Sequence, residues 1–167
     1  VDPTTINTYL LREETVSITG YGNDISGIGL LGSRARHWLG DSSGLEARDL
    51  VDSTWVPYRT SQDSVLNGSG VHWVRVRLLP DASLRDVPLV LMVRANRPFE
   101  VFLNGRSLLK VDPSLAADTG TPRYTAVPMR LACDGRMEAL ALRIEGSPGT
   151  SLLQLEPLLS VHLADVL

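Results

Sequence analysis

Val71-His72-Trp73-Val74-Arg75-Val76-Arg77-Leu78 alternates, with His72, Val74, Val76 and Leu78 on one face and Trp73, Arg75 and Arg77 on the other. A two-residue period is the mark of a strand with one face against a core. Pro80-Asp81 closes it with a turn. Further on, Leu89-Val90-Leu91-Met92-Val93 is apolar throughout, as a strand covered on both sides would be. Phe99-Glu100-Val101-Phe102-Leu103 runs into Asn104-Gly105, the dipeptide best suited to the positive φ angles of a two-residue hairpin, with Leu108 to Val111 returning. A loop rich in turn formers follows from Asp112 to Pro122, then a strand from Tyr124 to Leu131 and a turn at Cys133-Asp134-Gly135. Leu140, Leu142 and Ile144 alternate with Ala139, Ala141 and Arg143. The segment from Ser151 to Leu167 reads as a last strand, with Pro157 at an edge or bend.

Several short strands punctuated by turns predict an all-β sandwich. Before position 70 the pattern is weaker. Glu14 to Thr19 reads as a strand, Leu30 to Trp38 as another, and Gly40 to Leu50 as room for one short helix. Thr4 to Arg12 is either a helix or an arm. No long helical period, repeat or low-complexity tract is present, which argues against alternating α/β architecture.

The 167 residues suit one domain, and a chain of this size buries roughly 70% of its unfolded surface. Hydrophobic residues at 43% and charged residues at 21% are those of a globular chain. The net charge of −3 is interspersed, with no basic block of the kind nucleic-acid binders carry. Cys133 is alone, which excludes an internal disulfide and cysteine-rich metal sites. No apolar run reaches the roughly 18 residues of a membrane span. Val1-Asp2-Pro3 shows no charged-then-apolar leader, so the chain reads as a piece of a longer protein.

Several motifs invite chemistry and fail on context. Gly27-Ile28-Gly29-Leu30-Leu31-Gly32 has dinucleotide-loop spacing with Asp52 further on, but no strand-then-helix frames it. Gly40-Asp41-Ser42-Ser43 resembles an esterase nucleophile block, yet the Asp expected three residues before a terminal histidine is missing, since Leu159 stands there ahead of His162. His37, His72 and His162 stand singly, without metal-ligand spacing. Asn67-Gly68-Ser69 is a formal glycosylation sequon best read as a loop. Neither a metal nor a cofactor is expected, and the chain reads as non-enzymatic.

The aromatics are more telling. They make up 5% of the chain, yet Trp38, Trp55, Tyr58 and Trp73 fall between positions 38 and 73. Trp73 shares its strand face with Arg75 and Arg77. Exposed, such a face would stack on a sugar ring and bind its hydroxyls. Covered by a loop, Trp73 would be structural and Arg75 one half of an ion pair.

Asp52-Ser53-Thr54-Trp55, Gly70-Val71-His72-Trp73-Val74-Arg75, and Pro98-Phe99-Glu100-Val101-Phe102-Leu103-Asn104-Gly105, in that order, resemble the galactose-binding-like jelly roll, as in the sugar-binding domain of family-two glycosidases. Trp38-Leu39-Gly40-Asp41 ahead of them is similar to the extracytoplasmic N-terminal sensor domains of bacterial membrane signalling proteins with kinase, phosphatase or cyclase outputs. The resemblance covers about Leu30 to Leu159. It implies a sandwich of eight strands or more over residues 30–167, with residues 1–29 as an arm or extra strands, placed outside the cytoplasm.

Three roles follow as expectations: a sensor or ligand-binding domain of a membrane-anchored protein, an accessory carbohydrate-binding domain of a glycosidase, and a structural interaction module. The expected partners are a carbohydrate or small polar ligand, the membrane-anchored remainder of the chain and a second copy, with no nucleic acid. The candidate contact residues are Trp55, Tyr58, Arg59, Trp73, Arg75, Arg123 and Tyr124, aromatics and arginines near loop ends. On that reading Trp73→Ala weakens binding and leaves the thermal midpoint unchanged.

Overall fold

A computed structural model describes residues 15–21, 24–26, 35–57, 70–80, 82–95, 97–111, 123–146 and 153–160. The strand Val71 to Leu78 is the hub. It belongs to β5 (Gly70–Pro80), which pairs antiparallel with β10 (Glu138–Gly146) along one side, from Gly146 opposite Gly70 to Glu138 opposite Leu78. Its other side is shared. The first half pairs antiparallel with β3 (Arg36–Leu39), and the second half pairs parallel with β1 (Thr15–Tyr21). β2 (Asp24–Ser26) and the two-residue β4 (Val56–Pro57) extend these flanks. Beyond β10 lie β7 (Phe99–Leu103) and β8 (Arg106–Lys110), which complete an eight-stranded sheet. A second sheet has β6 (Leu89–Ala95) at its centre, flanked by β9 (Arg123–Met129) and β11 (Leu153–Ser160).

The core fills the space between the sheets, as period-two patterning requires. Val74, Val76 and Leu78 of β5, Leu140, Leu142 and Ile144 of β10, and Val101 of β7 meet Leu89, Leu91 and Val93 of β6 and Val127 of β9. Val90 is buried on the other side of β6, as its unbroken apolar run predicted. The hairpin from β7 to β8 turns on Asn104 and Gly105, at φ 52° and 83°. Asn104 also mimics a strand partner, because its Oδ1 accepts from the Ala139 backbone N–H and its own backbone N–H donates to the Ala139 carbonyl. Pro157 falls where the β11–β6 register shifts, on an edge strand.

The helix expected between Gly40 and Leu50 does not form. Instead the chain makes successive turns, with the Ala47 amide on the Gly44 carbonyl and the Leu50 amide on the Ala47 carbonyl. Gly44, at φ 91°, lies outside helical space. The carbonyls of Leu45 and Ala47, which a helix would use internally, accept instead from the buried Arg75. Tertiary bonding overrides the local preference. The helix or arm expected at Thr4 to Arg12, the glycine loop at 27–32 and the loop at 112–122 lie outside the described residues.

Candidate functional site

Of the two readings of the β5 face that carries Trp73, Arg75 and Arg77, the structure bears out the covered one, with Trp73 buried and Arg75 in an ion pair. Residues 40–57 lie across this face and bury Trp73 to 2% exposure and Arg75 to 1%. A small second core results, in which Trp55, Trp73 and Ala141 pack with Leu45, Leu50, Val71 and Phe102. Trp73 stacks on Phe102 at 5.5 Å between centroids and donates its indole N–H to Asp41 at 3.1 Å. Arg143, next to Trp73 across the β5–β10 ladder, gives Asp41 a second bond of 2.8 Å. Arg143 and the indole hold the Asp41 carboxyl below the usual carboxylate range.

Asp52 fastens the other end of this strap. Buried to 2%, it accepts from Arg75 Nε at 3.2 Å and from Arg77 at 2.5 Å. Arg75 adds bonds to the Leu45 and Ala47 carbonyls at 2.8 and 2.9 Å, and its guanidinium lies 5.8 Å from the Trp55 ring centroid. Burial lowers the Arg75 pKa, and Asp52 opposes that shift. Arg36 reaches the Trp55 carbonyl at 2.8 Å, and Trp38 stacks on Trp55 at 6.1 Å. Trp55, Trp73 and Arg75 are therefore brought together, but as fastenings. Tyr58 and Arg59 lie outside the described residues, and Arg123 and Tyr124 fall on β9 in the other sheet. Ser42 is exposed in the strap, while His162 lies outside the described residues.

His37 and His72, scattered in sequence, meet through the β3–β5 register. Both are buried, with Nε2 of His37 2.8 Å from Nδ1 of His72. Burial, and then the His72 ring, push His37 down to about 4. Folded His37 thus stays neutral where an unfolded imidazole, with a pKa of about 6.5, takes up a proton. Stability should be full above about pH 6.5 and fall as pH drops toward 4, by about 3 kcal/mol at most. Urea unfolding from pH 7.5 to 4.5 should show this slope in the wild type, and His37→Phe should flatten it; equal slopes would discount the pair.

Sequence reading missed a groove between the exposed edges of the two sheets. It has a volume of about 610 Å³ and is lined on one side by Asn104, Arg106 and Leu108 of the β7–β8 hairpin. Pro128, Arg130 and Ala132, at and after the end of β9, line the opposite side. Leu103 and Met129 supply buried apolar surface, and Arg48 from the strap also lines it. Arg48 is held by a two-pronged pair with Asp134, at 2.8 and 2.7 Å, and by the Met137 carbonyl. Behind the groove, fully buried Glu138 accepts from the Asn104 side chain and from the Ala132 and Cys133 amides.

No protein-family model matches the chain, and no curated protein matches it in sequence. Solved structures do. A Bacteroides uniformis β-glucuronidase superposes with a TM-score of 0.53 and 14% identity, over 76% of this chain and 17% of that one. A calcium-binding mutant of Bacteroides uniformis β-glucuronidase 2 gives 0.52 and 14%, over 74% and 17%. The fold is a jelly-roll β-sandwich, shared with the matched part of these β-glucuronidases. The chain thus spans about a sixth of the length of the glycosidases it superposes on. In this jelly roll the residues that carried the sequence resemblance have structural work: Asp52 and Trp55 pin the strap, Trp38 covers Trp55, and Asp41 holds Trp73 and Arg143. Their order in the sequence reports the fold, and function must be argued from elsewhere on the surface.

Proposed function

We propose that the chain is a non-catalytic carbohydrate-binding accessory module of a longer glycosidase-type protein. The observation that carries this reading is the likeness to β-glucuronidases of which the chain matches only 17%. The groove between β8 and β9 is the binding site in this proposal. Its volume of about 610 Å³ falls in the range of small-ligand clefts, and aliphatic surface beside hydrogen-bond donors suits a sugar. The sensor reading draws on Trp38, Asp41, Asp52 and Trp55, all of which the strap already engages. It is the weaker of the two. A place outside the cytoplasm belongs to the same proposal, and fractionation of cells making the full-length protein tests it.

Calorimetric titration of the chain against a glycan panel should give one site per chain. The flanking coding sequence should encode a catalytic domain. No heat with any glycan, together with a flanking membrane helix and kinase domain, would overturn the proposal in favour of the sensor.

A further inference from the structure

The groove has a charge that its general role does not require. Among the described residues that line it, Arg48, Arg106 and Arg130 are cationic and none is acidic, in a chain whose net charge is −3. Arg48 is matched by Asp134, which also takes a bond from Arg136. Glu138 is fully buried behind the groove, its oxygens occupied by Asn104 and two backbone amides. Two charges are left facing the groove. Arg130 is exposed and gives one N–H to the Asp86 carbonyl at 3.0 Å, and among the described residues no carboxylate matches its charge. Arg106 is exposed, and among the described residues it has no hydrogen-bond or ion-pair partner.

Among the described residues the lining also lacks a ring. Leu103, Leu108, Pro128 and Met129 are its large apolar side chains, and none of the described residues offers the aromatic platform on which a neutral sugar stacks. Guanidinium forks instead recognise planar carboxylates and tetrahedral sulfates by paired, charge-assisted bonds. Arg106 opens β8 directly after the hairpin and Arg130 directly follows β9, so the two cations come from opposite sheets. A ligand anion between them would be gripped from both walls. Taking the carbohydrate-binding reading as its basis, we infer that the groove selects an acidic sugar, with Arg106 and Arg130 receiving its carboxylate or sulfate.

The test compares a hexuronate tetrasaccharide, its carboxyl-reduced neutral counterpart and a sulfated disaccharide, titrated into the 167-residue chain. The acidic ligands should bind at least tenfold more tightly than the reduced one, and the difference should shrink between 50 and 500 mM salt, as screening of about 10 Å at 0.1 M and about 3 Å at 1 M dictates. Arg106→Gln and Arg130→Gln, both at exposed positions, should each weaken acidic binding several-fold without moving the urea midpoint. Equal binding of the reduced tetrasaccharide would overturn the inference and leave the carbohydrate role standing. Binding of single-stranded DNA as tightly as of hexuronate would overturn it too, marking a general anion trap. No binding of any sugar would remove both readings.

Discussion

Asp52→Ala should unfold the chain several degrees earlier than any conservative surface change, because it takes the carboxylate away from two guanidinium groups, one of them almost wholly buried. Arg75 is 1% exposed and has no route to water, whereas Arg77 keeps 12% of its side chain exposed. Removing one partner of a buried pair leaves an uncompensated charge and costs about 3–5 kcal/mol. For a domain of this size that is a fall of roughly 6–20 °C in Tm. Asp52→Asn should do less harm, since an amide oxygen still accepts one of the two bonds. The double variant Asp52→Ala with Arg75→Met supplies the control. It deletes the buried charge along with its partner and keeps an apolar stem of similar length against Trp55, so at least half of the loss should return. A fall of less than about 1 kcal/mol in Asp52→Ala, within the range of an exposed pair, would show that the strap is held by its apolar contacts alone.

The contrast between what the sequence reveals and what it hides follows the range of the interactions. Alternation in β5 and β10, the Asn104-Gly105 hairpin and the bend at Pro157 are set by residues next to one another, and each is found in the fold. The alternation of Val71 to Leu78 also separates two faces correctly. It does not tell which lies uncovered, because the cover is residues 40–57, a run of turns with no period of its own. That run is fixed by bonds from Arg36, Arg75, Arg77 and Arg143, on three different strands. The helix expected at Gly40 to Leu50 loses to those same bonds. Likewise, His37 and His72 become neighbours only once β3 is registered on β5, with Leu39 opposite His72. The groove is the extreme case. Residues near 48, 104–108 and 128–132 line it, and no local signal links three segments that meet only where two sheet edges converge. A likeness in motif therefore led to the fold, while the candidate contact residues, chosen as aromatics and arginines near loop ends, include Trp55, Trp73 and Arg75, which lie inside it.

Trp73→Ala separates the two meanings of that motif most sharply. An exposed sugar platform would lose affinity and keep its stability. The structure predicts the reverse. Trp73 is 2% exposed, stacked on Phe102 and bonded to Asp41, so truncation opens a cavity between the sheet and the strap and leaves Asp41 with Arg143 alone. Loss of a buried Trp costs about 3–5 kcal/mol, visible as a large fall in the urea midpoint. Trp73→Phe divides the effect: most of the stacked area survives and the indole donor is lost, a change of about 1 kcal/mol. Sugar titration of the Phe variant then locates the ligand. Affinity equal to wild type places recognition away from β5, as a groove at the β8 and β9 edges requires. A drop in affinity with the urea midpoint held would mean that the strap lifts to admit the sugar beneath it, and the face of Trp73 and Arg75 would be the binding surface after all.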